Sequence, residues 1–147
     1  MKCSSIMKTD IECSRRDESV ESAAERMKAR NVGFLPVCDE AGAVAGTITD
    51  RDLAVRVLGD HRNPSETLVQ DVMSTELVCC SPDDDLDVAE GLMAQYKKSR
   101  IVCVDDRRRP VGIISLSDIA QVENAARASE LLHAVASREA AQPPSPA

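Results

Sequence analysis

Aromatic residues are almost absent from this 147-residue chain, which has one Phe, one Tyr and no Trp. Its core must therefore be built from aliphatic side chains, and hydrophobic residues make up 43% of the sequence. Basic residues are also few, with 18 Lys and Arg against 25 Asp and Glu, which gives a net charge of −7. Because a nucleic-acid surface normally needs a basic face, this balance argues against a DNA or RNA partner.

Long apolar runs are missing as well. No stretch of 18 or more consecutive apolar residues occurs, and the N-terminus lacks the apolar segment of a signal peptide. We therefore expect neither a membrane span nor secretion, and we predict a cytoplasmic protein.

The cysteines do not follow metal-binding spacings. There is no C-x-x-C, and neither His61 nor His133 lies beside a cysteine. A zinc site is not expected on this spacing, and no metal is predicted. In a reducing compartment we expect most cysteines to act as small buried hydrophobic residues, although a redox role for the adjacent pair Cys79 and Cys80 is the open alternative.

An internal repeat organises the chain. Residues 49 and 115, and residues 52 and 118, are separated by the same 66 positions, and no gap is needed to align residues 6–55 with the second copy. A self-similarity of this length indicates a duplicated supersecondary unit, and two copies normally bury their apolar faces against each other.

Each copy contains the pattern Gly-x-x-(Thr/Ser)-x-x-Asp, at residues 46–52 and 112–118. A β-branched segment precedes each pattern and a helical segment follows, so the hydroxyl and the carboxylate should lie where a strand passes into a helix. Free backbone N–H groups at a helix N-terminus favour anions. A carboxylate there can also accept hydrogen bonds from vicinal hydroxyls, which points to ribose and phosphate. The alternative is that these residues are only a helix N-cap.

The order β-α-β-β-α is predicted for each copy. In the first copy, Ser19 is the expected N-cap of the first helix. The turn ends the second strand, and Gly59 is expected to end the second helix. We predict strands at 11–13, 32–38 and 43–49, helices at 19–30 and 53–58, and a turn at 39–42. In the second copy we predict strands at 77–79, 101–104 and 110–115 and helices at 85–97 and 119–122.

The predicted domain boundaries follow the repeat. The first repeat spans 1–59, a polar linker 60–67, and the second repeat 68–122. A C-terminal helix is expected over 123–141, and the Pro/Ser-rich tail 142–147 is expected to be disordered.

These paired motifs resemble a tandem pair of CBS domains, or Bateman module, and the resemblance covers about residues 1–122, nearly the whole chain. The chain is most similar to the small stand-alone bacterial members. The resemblance implies an α/β (α+β) fold in which the two repeats pack through their sheets around a pseudo-twofold axis. It also implies a flat, disc-like homodimer, with clefts that bind AMP, ADP or ATP, and less commonly S-adenosylmethionine, NAD or a cyclic dinucleotide.

The resemblance also implies roles for particular residues. Asp52 and Asp118 would hold ribose hydroxyls, while Thr49 and Ser115 would contact phosphate. Adenine would lie among Lys8, Thr9, Ile11, Gly33, Phe34 and Pro36 in one site and among Ser74, Thr75, Leu77, Ser99, Arg100 and Val102 in the other. Positive charge for phosphates would come from Arg51, Lys98 and Arg100.

The two clefts differ in composition. Val102 replaces the proline that the first copy has at Pro36, and Arg100 stands where the first copy has Phe34. We therefore expect the clefts to bind unequally, and a polyphosphate to prefer the cleft that contains Ser115 and Asp118.

Three functional classes follow from these features. The favoured one is a regulatory module that senses an adenine nucleotide and modulates a separate, unidentified partner. The alternative is a ligand-free dimeric interaction or scaffold protein. An enzyme is not expected, because we find no Ser-His-Asp or Cys-His set, no P-loop and no metal cluster, and no cofactor is required.

Overall fold

The computed structural model describes residues 1–140, with side chains described as far as Ser137. The chain divides into two compact units that do not coincide with the sequence repeats. The first-repeat unit contains Asp10–Leu77 and Asp106–Pro110, and the second-repeat unit contains Met1–Thr9, Val78–Asp105 and the described chain from Val111 onward. The predicted tail at 142–147 lies outside the described residues, as does Ala141.

The first-repeat unit has a three-stranded sheet with strand order β1-β2-β3. The β1 strand runs parallel to β2, and β2 runs antiparallel to β3 with an irregularity between Val37 and Cys38. Its elements are β1 (Ser14–Arg15), α1 (Val20–Arg30), β2 (Phe34–Cys38), β3 (Val44–Thr49), α2 (Asp50–Asp52), a π-helical turn (Leu53–Leu58) and α3 (Val69–Val72).

The second-repeat unit repeats this arrangement with strand order β4-β5-β6, and adds a C-terminal helix. Its elements are a short 3-10 helix (Cys3–Ser5), β4 (Cys79–Cys80), α4 (Leu86–Tyr96), β5 (Arg100–Val104), β6 (Pro110–Ser115), α5 (Leu116–Val122) and α6 (Ala125–Ala140). The predicted α/β class with two β-α-β-β-α repeats is confirmed. Among the described residues, no helix combines the length and apolar character needed to cross a membrane.

The first long helix shows how local sequence sets the boundaries. The Ser19 side chain accepts a hydrogen bond from the Ser22 N–H at 3.1 Å, which caps α1 where the sequence predicted. The helix ends at Asn31, whose left-handed φ of 53° suits an Asx residue. Between these ends α1 buries Val20, Ala23 and Met27 against the sheet.

Some predicted boundaries were wrong. The short strands predicted at 11–13 and 77–79 lie at Ser14–Arg15 and Cys79–Cys80, because each is fixed by pairing with a later strand. The predicted end of the second helix at Leu58 is confirmed, although Gly59 itself is right-handed, with a φ of −62°. The left-handed residue is His61, after the Gly59 N–H closes a π-type bond to the Ala54 carbonyl at 2.9 Å.

The lead-in segments, residues 1–9 and 68–76, are exchanged between repeats. Lys8 forms paired backbone hydrogen bonds with Ile113 of β6, and Ser74 forms the equivalent pair with Thr47 of β3. Each unit therefore combines a β-β-α segment of one repeat with the lead-in of the other. Gly46 permits this close approach, because a Cβ there would lie 2.5 Å from the Ser74 carbonyl oxygen.

Each unit has its own aliphatic core. In the first-repeat unit, α3 contributes Val69 and Val72 to a cluster with Leu35, Val37 and Ile48. In the second-repeat unit, α6 contributes Leu131 and Val135 to a cluster built mainly from α4 and the sheet. Neither contribution follows from the repeat alone, because α3 is not a predicted element and α6 has no counterpart in the first copy.

Candidate functional site

In the first-repeat unit the motif forms a capping box at the end of β3. The Thr49 N–H donates to Asp52 Oδ2 at 2.9 Å, and the Asp52 N–H donates to Thr49 Oγ1 at 3.2 Å. The Thr49 hydroxyl also lies 3.1 Å from Asp52 Oδ2 and donates to it. Both residues thus stand at a strand-to-helix junction, as the sequence predicted, and they are held there by each other.

The second-repeat unit has the same geometry at the end of β6. The Ser115 N–H donates to Asp118 Oδ2 at 2.9 Å, and the Asp118 N–H donates to Ser115 Oγ at 3.1 Å. The N-cap alternative raised by the sequence is therefore realised at both motifs. It uses the same oxygen, Oδ2, of each carboxylate.

The other oxygen of each carboxylate faces a cation. Asp52 Oδ1 lies 3.8 Å from Arg56 Nε, and Asp118 Oδ1 lies 3.5 Å from Lys8 Nζ. The two aspartate side chains are 16% and 15% exposed, so their carboxylates are mostly shielded and yet reach the surface. Each carboxylate can therefore keep its capping bond while Oδ1 accepts a hydrogen bond from a ligand hydroxyl.

The cation comes from a different element in each unit. Arg56 lies one turn after Asp52, and its Nη1 also donates to the Val72 carbonyl at 3.0 Å. Its counterpart in the second copy is Val122, while the counterpart of Lys8 is Ser74. Arg56 is not among the site residues predicted from the sequence, although its position four residues after Asp52, in the predicted helix 53–58, indicated such a pair.

The residue before the second strand, Gly33 in the first copy and Ser99 in the second, forms a backbone hydrogen bond to the first residue of the motif helix. The Gly33 carbonyl accepts the Asp50 N–H at 2.9 Å, and the Ser99 carbonyl accepts the Leu116 N–H at 2.8 Å. A Cβ at Gly33 would lie 2.5 Å from Asp50 Oδ2, so a side chain there would require the Asp50 carboxylate to move. These two predicted site residues therefore contact the motif helix through backbone.

The predicted grouping of adenine-binding residues is corrected by the lead-in exchange. Lys8 and Thr9 belong to the second-repeat unit, where Lys8 lies beside Ile113 and Asp118. The sequence predicts them in the site of the first copy, since a gap-free repeat does not reveal which strand a lead-in will pair with. Within the first-repeat unit the structure instead places Ile11, Gly33, Phe34, Pro36, Thr49, Arg51, Asp52, Ser74, Thr75 and Leu77.

The remaining predicted residues lie in the second-repeat unit, together with Ser115 and Asp118. The segment after α4 carries Lys98, whose N–H donates to the Met93 carbonyl at 2.9 Å, followed by Ser99 and Arg100. The Pro36 and Val102 side chains, at equivalent positions of the central strands, are both buried. Phe34 is paired with Thr49 in the sheet and is half-buried.

Cys3, Cys80 and Cys103 are buried in the core of the second-repeat unit, as small hydrophobic residues would be. The Sγ of Cys80 lies 3.5 Å from that of Cys103 and 4.0 Å from that of Cys3. Burial raises the pKa of Cys3 to about 12, and the Cys103 thiol and burial raise the pKa of Cys80. These shifts disfavour the reactive thiolate. In the described part of the chain, no three His, Cys, Asp or Glu side chains are grouped so as to hold a metal ion.

Comparison with known proteins places these features in a family. The family model of the CBS domain matches residues 3–59 and 69–124. A CBS domain-containing protein of Bacillus subtilis, YhcV, is 39% identical over 127 residues, which cover 85% of this chain and 89% of that protein.

Two solved structures share the fold. The CBS domain pair of protein MJ0100, in complex with 5′-methylthioadenosine and S-adenosyl-L-methionine, has a TM-score of 0.74 and 26% identity, covering 83% of this chain and 94% of that one. A conserved CBS domain protein of unknown function from Thermoplasma acidophilum has a TM-score of 0.79 and 23% identity, covering 91% of this chain and 75% of that one.

Proposed function

Since the chain belongs to the CBS domain family, we propose that it is a regulatory module that binds an adenosine-containing ligand and modulates a separate protein. The observation that carries this proposal is the pair of mostly shielded carboxylates, Asp52 and Asp118, at two strand-to-helix junctions. In each of them one oxygen serves the capping box and the other stays available to ligand hydroxyls. The MJ0100 domain pair, which binds two adenosine compounds, supports the ligand class.

The proposed ligand is AMP, ADP or ATP, and S-adenosylmethionine and NAD are the less favoured candidates. A ribose would place its hydroxyls on the Oδ1 atoms, and a phosphate would lie near the Thr49 or Ser115 junction. Lys8 lies beside Asp118 in the second-repeat unit, and Lys98 and Arg100 belong to the same unit. We propose that this unit takes the more anionic ligand, in keeping with the predicted inequality of the two sites.

The role is proposed to be binding rather than catalysis. Differential affinity for two states is sufficient for a regulatory module, and the protein it regulates would be a separate cytoplasmic chain. We further propose that the chain acts as a homodimer. The alternative function, a ligand-free dimeric scaffold, is favoured by the capping boxes themselves, because they give both aspartates a structural role without any ligand.

Thermal unfolding tests the proposal against this alternative. A ligand present at about 100 times its Kd adds roughly 2.7 kcal/mol to the stability of the folded state. For a chain of this length we expect a rise in Tm on the order of 8 °C with at least one of AMP, ADP, ATP, NAD and S-adenosylmethionine at millimolar concentration. The same Tm with all five compounds would favour the scaffold function.

Lys8 provides a prediction for the second-repeat unit. Its side chain is 70% exposed and its ammonium lies beside the proposed ribose carboxylate, so it can reach a ligand phosphate. We expect Lys8→Met to weaken binding of a phosphorylated adenosine about fivefold, because a charge-assisted hydrogen bond is lost at an exposed position, while adenosine binding changes little. Calorimetric titration with AMP and adenosine measures both affinities.

A matched variant separates this contact from a general change in charge. Lys28→Met removes one positive charge from the exposed face of α1 and should leave the affinity for AMP unchanged. If both variants weakened AMP binding equally, Lys8 would have no specific role at this site.

A further inference from the structure

Glu90 is an unusual residue for the buried side of α4. The helix buries Leu86, Ala89 and Met93, and Glu90 lies among them with only 8% of its surface exposed. Its counterpart in the first copy is Ala24. A buried carboxylate is costly unless its charge and both its oxygens are compensated, so Glu90 requires an explanation that the repeat does not supply.

The partners of Glu90 come from the C-terminal segment. Arg127, in the first turn of α6, donates from Nη2 to Glu90 Oε2 at 2.7 Å, and its Nε lies 3.8 Å from Glu123 Oε2. Glu123 follows α5 and is 17% exposed in its side chain. Arg127 is itself fixed, since its backbone N–H donates to Asn124 Oδ1 at 2.9 Å. Two carboxylates and one guanidinium therefore join α4 to the junction between α5 and α6.

One carboxylate oxygen of this cluster is not compensated by a hydrogen bond within the described part of the chain. Among the described residues, Glu90 Oε1 is a buried side-chain oxygen without a hydrogen-bond partner. The two strands that contact α4 carry few titratable or charged residues. These are the thiols of Cys79 and Cys80 in β4 and, in β5, the guanidinium of Arg100 and the thiol of Cys103. Burial and the Glu123 carboxyl raise the pKa of Glu90 to about 7, while Arg127 opposes the rise.

We propose that Glu90 is a proton-controlled latch that holds α6 on the second-repeat unit. When Glu90 is protonated, its hydroxyl can donate to the Glu123 carboxylate while its other oxygen accepts from Arg127, so every buried oxygen is satisfied. When Glu90 is ionised, two shielded carboxylates share a single guanidinium and one oxygen is unpaired. The repulsion is relieved if α6 moves away and exposes Glu90 to water.

The sign of the effect follows from linkage. The pKa of Glu90 is raised in the docked state above its ordinary value of 4.5, so docking favours the protonated form. The contribution of the latch is full below about pH 4.5 and is lost as the pH rises through about 7. The attachment of α6 is therefore expected to weaken across the neutral range, independently of ligand binding at the motif aspartates.

Amide hydrogen exchange of the full chain, measured by NMR and corrected for the intrinsic exchange rate, tests the latch. We expect the protection factors of α6 amides to fall about tenfold between pH 5.5 and pH 8 relative to those of α1, which lies in the other unit. Glu90→Gln keeps a donor and an acceptor without titrating, so its α6 protection should stay at the acidic level at both pH values.

Two further variants keep the test decisive. Glu130→Gln removes an exposed carboxylate from α6 and should retain the wild-type pH dependence. Should Glu90→Gln fail to fold, Glu123→Gln removes the neighbouring carboxylate instead and should reduce the pH dependence. Unchanged α6 protection between pH 5.5 and pH 8 in the wild type, or an undiminished pH dependence in a folded Glu90→Gln or Glu123→Gln variant, would overturn the proposal.

Discussion

The double variant Asp52→Asn/Asp118→Asn is expected to bind its adenosine ligand at least about 30-fold more weakly than the wild type. Each carboxylate is proposed to accept hydrogen bonds from ribose hydroxyls, and bonds to a charged group contribute about 1.5–3 kcal/mol. Asparagine keeps one carbonyl oxygen, which can still accept the N–H of Thr49 or Ser115. Its amide nitrogen replaces the second acceptor with a donor, so the ribose hydroxyl loses its charged acceptor.

This substitution separates the ligand role of the aspartates from their structural role. Alanine would also remove the carboxylate half of the capping box, which accepts the Thr49 or Ser115 N–H, and the lost hydrogen bond would cost about 1 kcal/mol at each helix. Asparagine should leave the Tm of the ligand-free protein within a few degrees of the wild type, which thermal unfolding measures. The affinities are compared by calorimetric titration.

Asp71 supplies the matched control. Its Oδ2 accepts the Leu68 N–H at 3.2 Å in a similar arrangement at the start of α3, outside the repeated motif. Asp71→Asn should leave ligand affinity unchanged. Equal affinities in the wild type and the double variant would show that the two motif aspartates are helix caps only.

The substitution Val72→Asp should destabilise the first-repeat unit by about 4 kcal/mol or more. Val72 is 1% exposed in a core cluster that also contains Leu35, Val37 and Ile48. Removing the valine loses about 1.5–3 kcal/mol of hydrophobic transfer energy, and an unpaired carboxylate in the core adds a further penalty. Since a domain is stable by only about 5–15 kcal/mol, this loss removes a large share of the free energy of unfolding.

Val88→Asp is the comparison, since Val88 lies on α4 and is 46% exposed. A surface substitution of this kind changes stability by about 0.5 kcal/mol or less. Urea unfolding of both variants measures the difference. Similar unfolding midpoints would mean that α3 is a surface linker segment and does not belong to the core.

The sequence predicted most of the architecture because the relevant signals are local or repeated. Ser19 caps α1 at the expected residue, and β6 spans the predicted 110–115. The motif aspartates were found because two copies share one spacing, and each lies at a strand-to-helix junction as expected.

What the sequence did not predict depends on pairing between distant segments. A lead-in such as residues 1–9 carries no local signal of the strand that it will join, and so the pairing of Lys8 with Ile113 was missed. The four-residue helix α3 is too short for an apolar period to be read. A glutamate in an amphipathic helix is expected on the surface, and the sequence gives no sign that α6 packs against α4 and buries Glu90.

The most direct test of the proposed function is a calorimetric titration of the full chain with AMP and, in parallel, with 2′-deoxy-AMP. The carboxylates of Asp52 and Asp118 are proposed to recognise ribose hydroxyls, so removing one hydroxyl from the ligand removes a charge-assisted hydrogen bond. We predict saturable binding of AMP and an affinity for the 2′-deoxy compound that is about tenfold lower. Equal affinities for the two compounds would contradict the proposed recognition of ribose by Asp52 and Asp118, and no binding of either at millimolar concentration would exclude AMP as the ligand.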